Sequence, residues 1–385
     1  MADERHLHPD WIRAAVSEEG FAREQAVLAR MWGFVGLASD LPRDGDWFCT
    51  TLGSHSIFVQ RFGTELRAFE NQCAHRFYPL RTAERGNGPV VCGFHHWRYN
   101  KDGLALGIPL CPKLYDGAIP RDMDMRLRRL DLDCCGEMIF VRFPPEGGGE
   151  GLREFLAEGY PILEAMAAPD RPATRFTLNI DAHWKFSHHI SLDDYHIVAV
   201  HPTTFGKDGH LKPEVVKYHR FGRHSAFLAT EEEGRWQYML DTCGKGPYRP
   251  SHYAIFNIFP NALVSLSNTV RLFGVDNWYV TIIRYRAVSR ARSQAHVWMF
   301  KAPFPPEETA LSRLTRPLVD RVLPPIVARV VRKIMGEDND VCEGQQRHAG
   351  QVRGEQKLSA YERRIGWFEE AYSAALADAG DSAAR

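Results

Sequence analysis

Two short cysteine–histidine clusters constrain this chain more than any other feature. Asn71–Tyr78 reads NQCAHRFY and Val91–Asn100 reads VCGFHHWRYN. The candidate ligands form Cys73-x-His75, sixteen intervening residues, then Cys92-x-x-His95. Each arm offers one thiolate and one imidazole. A [2Fe–2S] cluster in which two cysteines hold one iron and two histidines hold the other needs that division. Neutral imidazoles leave such a cluster less negative than an all-cysteine one. It is therefore easier to reduce, at potentials from about −150 to +300 mV. Structural zinc is the rival, because Cys2His2 also suits a tetrahedral site. Zinc fingers usually group their ligands as Cys–Cys and His–His, whereas here each arm is mixed.

The text around the arms predicts a small antiparallel β domain. From about 45 to 145 it alternates short strands with Gly/Pro turns, as at Ser56–Arg61, Leu66–Asn71 and Glu137–Phe143. Residues 8–38 ahead of it read as mostly helical, with a break at Gly20 and apolar Phe21, Ala26, Leu28, Met31 and Trp32. Asp40, Pro42 and Gly45 mark the turn between them. Pro144–Gly151 (PPEGGGEG) reads as a linker. Beyond it, 152–168 is helical and several β runs follow: Thr174–Ile180, Ser225–Thr230, His252–Phe259, Trp278–Val288 and Gln294–Lys301. Helical text interrupts near 183–200, resumes from about 306, and closes with an amphipathic stretch at 357–378. The expected class is α+β. The expected division is an N-terminal helical segment (1–40) packing on the last domain, an all-β domain (41–150), and an α+β domain with an antiparallel sheet (151–385).

Bulk properties narrow the function. Acids and bases balance at 48 each, which gives no electrostatic reason to expect nucleic acid or a membrane as partner. No secretory signal and no run of about eighteen apolar residues is present, so a cytoplasmic location is expected. Eight cysteines in 385 residues is not a disulfide framework. Cys49, Cys111, Cys134, Cys135, Cys243 and Cys342 read as small packing residues.

A second constellation lies at His183–Phe205, HWKFSHHISLDDYHIVAVHPTTF. Asp193 and His196 are three apart and would share a helix face. His201, five beyond His196, converges with it only if the helix unwinds or ends, and Pro202 supports an ending. Two imidazoles and one carboxylate on one face of an octahedron is the non-haem Fe(II) design, with three positions left open. The carboxylate would come from GEDNDVCEGQQ at 336–346: Asp338 is the candidate and Asp340 the runner-up. Surface histidines and a solvated acidic turn are the bland alternative.

These segments resemble the Rieske-type ring-hydroxylating oxygenases, catalytic (alpha) subunit. Cys73-Ala-His75-Arg76 and Cys92-Gly-Phe-His95-His96-Trp97, followed by Tyr99, Asp102, Gly103 and Ile108-Pro109, are similar to the family's cluster arms. Trp184-Lys185 through Asp193-x-Tyr195-His196-x4-His201-Pro202 resembles its mononuclear iron motif, and Glu337-Asp338 through Gln346 resembles the segment with the aspartate ligand. Tyr361-Glu362 through Phe368 is similar to its closing helix. Phe77 and His96 stand where the family usually has glycine, and spacing favours His95 over His96 as ligand. His188-His189 replaces a usual Glu-Asn pair.

The resemblance implies a helix-grip-like catalytic domain, a [2Fe–2S] cluster on Cys73, His75, Cys92 and His95, and a mononuclear Fe(II) on His196, His201 and Asp338. It implies NAD(P)H electrons delivered indirectly, through a flavin reductase or ferredoxin, and O2 activated beside a small organic substrate. It further implies a homotrimer in which the cluster of one chain meets the iron of the next, with Asp193 as the bridging carboxylate, and leaves room for a β subunit. His189 and Ile190 are candidates for the substrate pocket. An aromatic substrate is the first expectation. Oxidative demethylation or attack on a quaternary ammonium is the second, and a Rieske electron-transfer protein without catalysis the third.

Overall fold

The structure, a computed structural model, describes residues 6–7, 10–169, 173–204, 215–245, 248–272, 275–304 and 310–383. The ends of two sequence motifs, Phe205 and the first residues of the helix expected from 306, lie outside the described residues. The chain divides into two compact units. One is Gln25–Cys134 with Met138–Leu152, and the other is Met1–Glu24 with Cys135–Glu137 and Arg153–Arg385.

The chain opens with β1 (His6–Leu7), which pairs antiparallel with Gln356–Lys357, then α1 (Asp10–Val16) and α2 (Glu18–Arg30). The helix break expected at Gly20 falls at Ser17 instead. Ser17 Oγ accepts the Gly20 N–H at 3.0 Å, the bond of an N-cap residue three positions before it. Gly20 lies inside α2, at a place where only glycine fits: a Cβ there would stand 2.0 Å from the Ala14 carbonyl oxygen. The helical reading of 8–38 also fails beyond Arg30. Gly33–Leu37 is a strand, β2, paired with Met138–Arg142. A five-residue apolar run has no period of its own, and here the neighbouring strand decides.

The smaller unit continues with β3 (Asp46–Leu52), β4 (His55–Phe62), β5 (Glu65–Glu70), β6 (Arg85–Asn87), β7 (Val90–Val91), β8 (Arg98–Tyr99), β9 (Ala105–Gly107), the one-turn α3 (Cys111–Leu114), β10 (Asp131–Cys135) and β11 (Met138–Arg142). Three sheets result, ordered β5-β4-β3-β6, β10-β11-β2 and β7-β8-β9. The two-residue period of β4 serves two cores at once. Ile57 and Val59 pack with Val35, Phe48, Leu52, Ile139 and Val141. Phe58, pointing the other way, packs with Phe69, Leu80, Trp97 and Tyr99 beneath Cys73 and Cys92. Burial of one such aromatic contributes about 1.5–3 kcal/mol, so the floor under the two arms is firm.

The larger unit runs through α4 (Leu152–Phe155), α5 (Tyr160–Met166), β12 (Thr174–Ile180), α6 (Trp184–Ile190), α7 (Ile197–Val200), β13 (Val216–Phe221), β14 (His224–Ala229), α8 (Arg235–Thr242), β15 (Ala254–Ile258), β16 (Ala262–Leu272), β17 (Val275–Ser289), β18 (Arg292–Lys301), α9 (Ala310–His348) and α10 (Arg363–Ala383). Its antiparallel sheet has seven strands in the order β12-β18-β17-β16-β15-β14-β13. β13 and β16 go beyond the expected strands. Charged and imidazole side chains (Lys217, His219, Arg220) disguise β13, an edge strand.

Every residue of α6 is buried, including Lys185, His188 and His189. Each polar group therefore needs a partner. Lys185 Nζ and His189 Nε2 share Glu369 Oε1 of α10, at 2.5 and 2.7 Å, and His188 Nε2 meets Asn257 Oδ1 at 2.9 Å. Among the described residues no helix is long and apolar enough to cross a membrane. Cys111, Cys135, Cys243 and Cys342 are buried, and Cys49 and Cys134 half-buried.

Candidate metal centres

In the smaller unit the two arms close as matching loops. The Cys73 N–H donates to Tyr78 O and the Phe77 N–H to Cys73 O, both at 2.9 Å. The Cys92 N–H donates to Trp97 O at 2.9 Å and the His96 N–H to Cys92 O at 3.0 Å. Each loop turns through a left-handed residue four past its cysteine, Phe77 and His96, both with φ 58°. That backbone favours glycine and costs other residues about 1–2 kcal/mol. Phe77 is 71% exposed, so packing of its ring does not offset the cost.

The loops bring like ligand beside like. Cys73 and Cys92 are both buried, and Cys73 is held above the ordinary thiol range by burial and by its neighbour Cys92. The rings of His75 and His95 lie 4.7 Å apart, and His75 stacks on Trp97 at 4.6 Å. His96 is exposed. Among the described residues His75 Nδ1 is buried without a hydrogen-bond partner, as an imidazole prepared for another ligand would be. Burial, the His95 charge and Arg76 hold its pKa down, which keeps the ring neutral. Sulfur donors are in place too. Tyr99 OH accepts the Ala74 N–H at 3.1 Å, so its own proton points to Cys73 Sγ at 3.0 Å. The Phe94 N–H donates to Cys92 Sγ at 3.4 Å. Two adjacent thiols, two adjacent imidazoles and hydrogen bonds to both sulfurs fit a [2Fe–2S] cluster with mixed ligands.

The larger unit builds the second centre on a broken helix. Asp193 and His196 do not share a helix face as the spacing suggests. α6 ends at Ile190, and Asp193 caps the next turn through Oδ1, which accepts the N–H groups of Tyr195 at 2.7 Å and His196 at 3.2 Å. α7 is a single turn, with His196 just before it and His201 leaving the helical backbone just after, ahead of Pro202. The imidazoles thereby converge, Nε2 to Nε2, at 3.3 Å. Asp338 of α9 brings Oδ1 to 2.9 Å from His201 Nε2 and 3.3 Å from His196 Nε2. Ligands about 2.1 Å from one metal at right angles stand about 3.0 Å apart, so these three atoms fit one face of an octahedron. Asp340 is exposed.

Charges at this centre favour a cation. Burial pulls the His196 pKa down, but the Asp193 and Asp338 carboxylates outweigh it and raise it to about 10. Burial pushes Asp338 up, yet the two imidazoles hold it below its ordinary value. His201 Nδ1 pairs with Glu337 Oε2 at 2.7 Å, and Thr204 Oγ1 donates to the same oxygen at 3.2 Å. A carboxylate behind a ligating imidazole fixes its tautomer and orientation.

The two pocket candidates lie inside the fold. His189 gives its Nε2 to Glu369, and its ring packs 4.4 Å from Trp11 and 5.6 Å from Phe368. Ile190 is buried, and its carbonyl accepts the Asp193 N–H at 3.3 Å. Asp194, next to Asp193, is buried. Tyr99 and Glu337 carry roles that sequence reasoning missed. Both lie in quoted motifs, but nothing local marks Glu337 over its acidic neighbours.

Comparison with known proteins identifies the class. The family model described as the Rieske [2Fe–2S] domain matches residues 31–120, and the smaller unit is such a domain. The chain is 27% identical over 248 residues to the large oxygenase component of salicylate 5-hydroxylase from Ralstonia sp.. That match covers 59% of this chain and 56% of the relative. It is 34% identical over 134 residues to the large subunit of anthranilate 1,2-dioxygenase from Burkholderia cepacia, covering 32% and 31%. The chain thus spans about half or less of these curated relatives. Its fold matches naphthalene 1,2-dioxygenase from Rhodococcus sp. bound to indole, with a TM-score of 0.73, 18% identity and coverage of 94% and 93%. A quaternary ammonium Rieske monooxygenase gives 0.66, 17%, 94% and 93%. The chain is a homologue of the large components of ring-hydroxylating Rieske oxygenases, with their alpha-subunit fold.

Two expected results follow from the geometry. Tyr99→Phe removes a donor from a cluster sulfur, and donors stabilise the reduced, more negative cluster. The midpoint potential is expected to fall by several tens of mV, about 59 mV for each 1.4 kcal/mol of lost differential hydrogen bonding. Redox titration checks it, and an unchanged potential removes the donor role.

The second concerns acid stability. Burial drives His188 to about 3 and His224 and His252 to about 4, so these rings are neutral in the fold. His224 shows the tautomer: Nδ1 accepts the Phe259 N–H at 3.0 Å and Nε2 donates to Phe155 O at 2.7 Å. Their folded values lie below the unfolded value of about 6.5, so the unfolded chain takes up protons first as pH falls. The stability is complete above that value and declines below it. Between pH 7.5 and 5.5 the loss is about 1.4 kcal/mol per ring, roughly 4 kcal/mol for the three. Urea unfolding at the two pH values, in a His196→Gln, His201→Gln background that removes the two rings whose raised pKa acts in the opposite sense, checks it, and equal midpoints would mean that the rings are not buried neutral.

Proposed function

We propose that this chain is the terminal, oxygen-activating component of a Rieske-type oxygenase acting on a small aromatic substrate. The observation that carries the reading is the His196–His201–Asp338 convergence, three donor atoms 2.9–3.3 Å apart, in a chain that also holds a Rieske domain. An electron-transfer protein has no use for a second, open ligand face. When bound, the cluster relays single electrons and the mononuclear iron is where O2 is reduced beside the substrate.

The chain's own residues prepare both places. Tyr99 and the Phe94 amide direct protons at the cluster sulfurs. Glu337 orients His201, and three ligands leave three positions free. Asp193 uses only Oδ1 for the cap. Its Oδ2 stands 3.8 Å from His196 Nδ1, an ion pair too long for a hydrogen bond, and can accept one further N–H. We assign that place to a cluster histidine of a neighbouring copy, in a homotrimer. Electrons would come from NAD(P)H through a reductase or ferredoxin.

Aromatic chemistry is supported by the salicylate and anthranilate relatives. N-demethylation is the second reading, because an N,N-dimethyl phenylurea N-demethylase alpha subunit from Sphingobium sp. is 26% identical over 189 residues. The test is metal and product analysis on anaerobically purified protein. About three irons per chain are expected, two in the cluster and one at the triad. With a surrogate reductase, NADH and 18O2, label should enter one of a panel of arenes, aromatic acids and methylated amines. Two irons and no product would leave a transfer protein, and zinc alone would end the reading.

A further inference from the structure

The turn that presents Asp193 and His196 is tied down from outside by a buried ion pair. Asp194 lies between them, wholly inside the fold, and Arg364 of α10 is 0% exposed. Arg364 Nη2 donates to Asp194 Oδ1 at 2.8 Å and Oδ2 at 3.0 Å, and reaches Ser191 O at 3.4 Å. Tyr218 of β13 donates its hydroxyl to Asp194 Oδ2 at 3.0 Å. The Asp194 N–H donates to Tyr361 O at 3.1 Å. The six-residue link from α6 to α7 is thus held at Ser191 and Asp194 by α10, β13 and the segment before α10.

Stability alone does not account for this arrangement. Two ions removed from water lose several kcal/mol of hydration each, and an apolar pair of like volume serves a core equally well or better. Arg364 is also used incompletely: its Nε and Nη1 have no hydrogen-bond partner among the described residues, and its one good donor edge is spent on the turn. A directional, charge-assisted contact fixes a backbone in a way that apolar packing does not. Here the fixed residue sits one position after Asp193 and two before His196.

We propose that the Asp194–Arg364 pair, closed by Tyr218, is a positioning device that holds His196 and Asp193 in register with His201 and Asp338 for metal binding. The proposal rests on the reading of that triad as the Fe(II) site. Its residues touch neither metal nor substrate and act through the turn alone. Partners of this kind, one step removed from a metal, typically change affinity by about 10–100-fold.

The experiment uses the full chain with its cluster intact and the triad stripped of metal. Fe(II) affinity is measured by chelator competition, and Co(II) absorption at the triad reports ligand geometry. The main variant is the double substitution Asp194→Leu with Arg364→Met, which leaves no orphaned charge. It is expected to keep the cluster spectrum and the wild-type unfolding midpoint, to bind Fe(II) about 10–100-fold more weakly, and to show an altered Co(II) spectrum. Arg364→Lys, which keeps the charge, should recover part of the affinity. A double variant that folds and binds Fe(II) and Co(II) as the wild type does overturns the proposal. If it does not fold, Tyr218→Phe decides, since it removes one hydrogen bond: weaker Fe(II) binding by a few-fold supports the device and unchanged binding overturns it. Wild-type protein that binds no Fe(II) at the triad would instead overturn the underlying reading, and is seen before any variant is made.

Discussion

Cys92→Ser is expected to yield a protein without the visible absorption of the wild type, with iron falling from about three to about one per chain. The sulfur of Cys92 is buried and receives the Phe94 N–H at 3.4 Å. A serine hydroxyl at that position is a hard, protonated group where the cluster needs a soft anion. Each iron takes two protein ligands, so one lost thiolate leaves an iron half-held. Cys92 also belongs to the core beneath the arms, with Phe58, Phe69, Trp97 and Tyr99. Some loss of stability in the smaller unit should therefore accompany the bleaching. The triad uses none of these residues, and iron there should persist. Absorption spectra and iron analysis on the same sample check both halves. An unchanged spectrum would remove Cys92 from the cluster.

The parts of these centres that could be read in advance are the parts set by near neighbours in sequence. Cys73 with His75 and Cys92 with His95 each sit on one closed loop, so spacing alone places each cysteine beside its histidine. The left-handed turns at Phe77 and His96 agree with glycine being usual there in the family, because the loop geometry is local. Thr174–Ile180 was legible to the residue, since its pattern needs no distant information. The convergence of His201 on His196 was legible because Pro202 ends the helix.

What could not be read depends on partners far along the chain. Asp193 and Asp194 are the same residue type side by side. Which one is buried is decided by Arg364, 170 positions on. The resemblance makes His189 a pocket candidate, and its partner Glu369, 180 positions away, could not be read from the sequence around it. Asp338 and Asp340 were distinguished by resemblance rather than by spacing, and only the packing of α9 brings one of them to the two imidazoles. Gly33–Leu37 became a strand because β11 lies beside it. In each case one segment permits two answers and a tertiary contact selects between them.

Asp193→Asn is expected to leave cluster and triad iron in place while product formation falls by about 100-fold or more. The amide oxygen of Asn can still accept the Tyr195 and His196 N–H groups that now go to Oδ1. The one-turn α7 therefore keeps its cap, and His196 its position. What changes is Oδ2, which faces His196 Nδ1 at 3.8 Å and is partly open to solvent, with 19% of the Asp193 side chain exposed. An NH2 group there is a donor and cannot accept an imidazole N–H from either side. The negative charge that helps raise His196 to about 10 is lost as well, so the ring becomes a poorer electron donor to its metal. If Asp193 joins the two centres across neighbouring copies, the defect lies in electron delivery. Single-turnover kinetics then separate the steps: cluster reduction by a surrogate reductase should run at the wild-type rate, and reoxidation in the presence of O2 and substrate should slow about 100-fold. Reoxidation at the wild-type rate in a variant with all its iron would take Asp193 out of the electron path and leave it the cap of α7 alone.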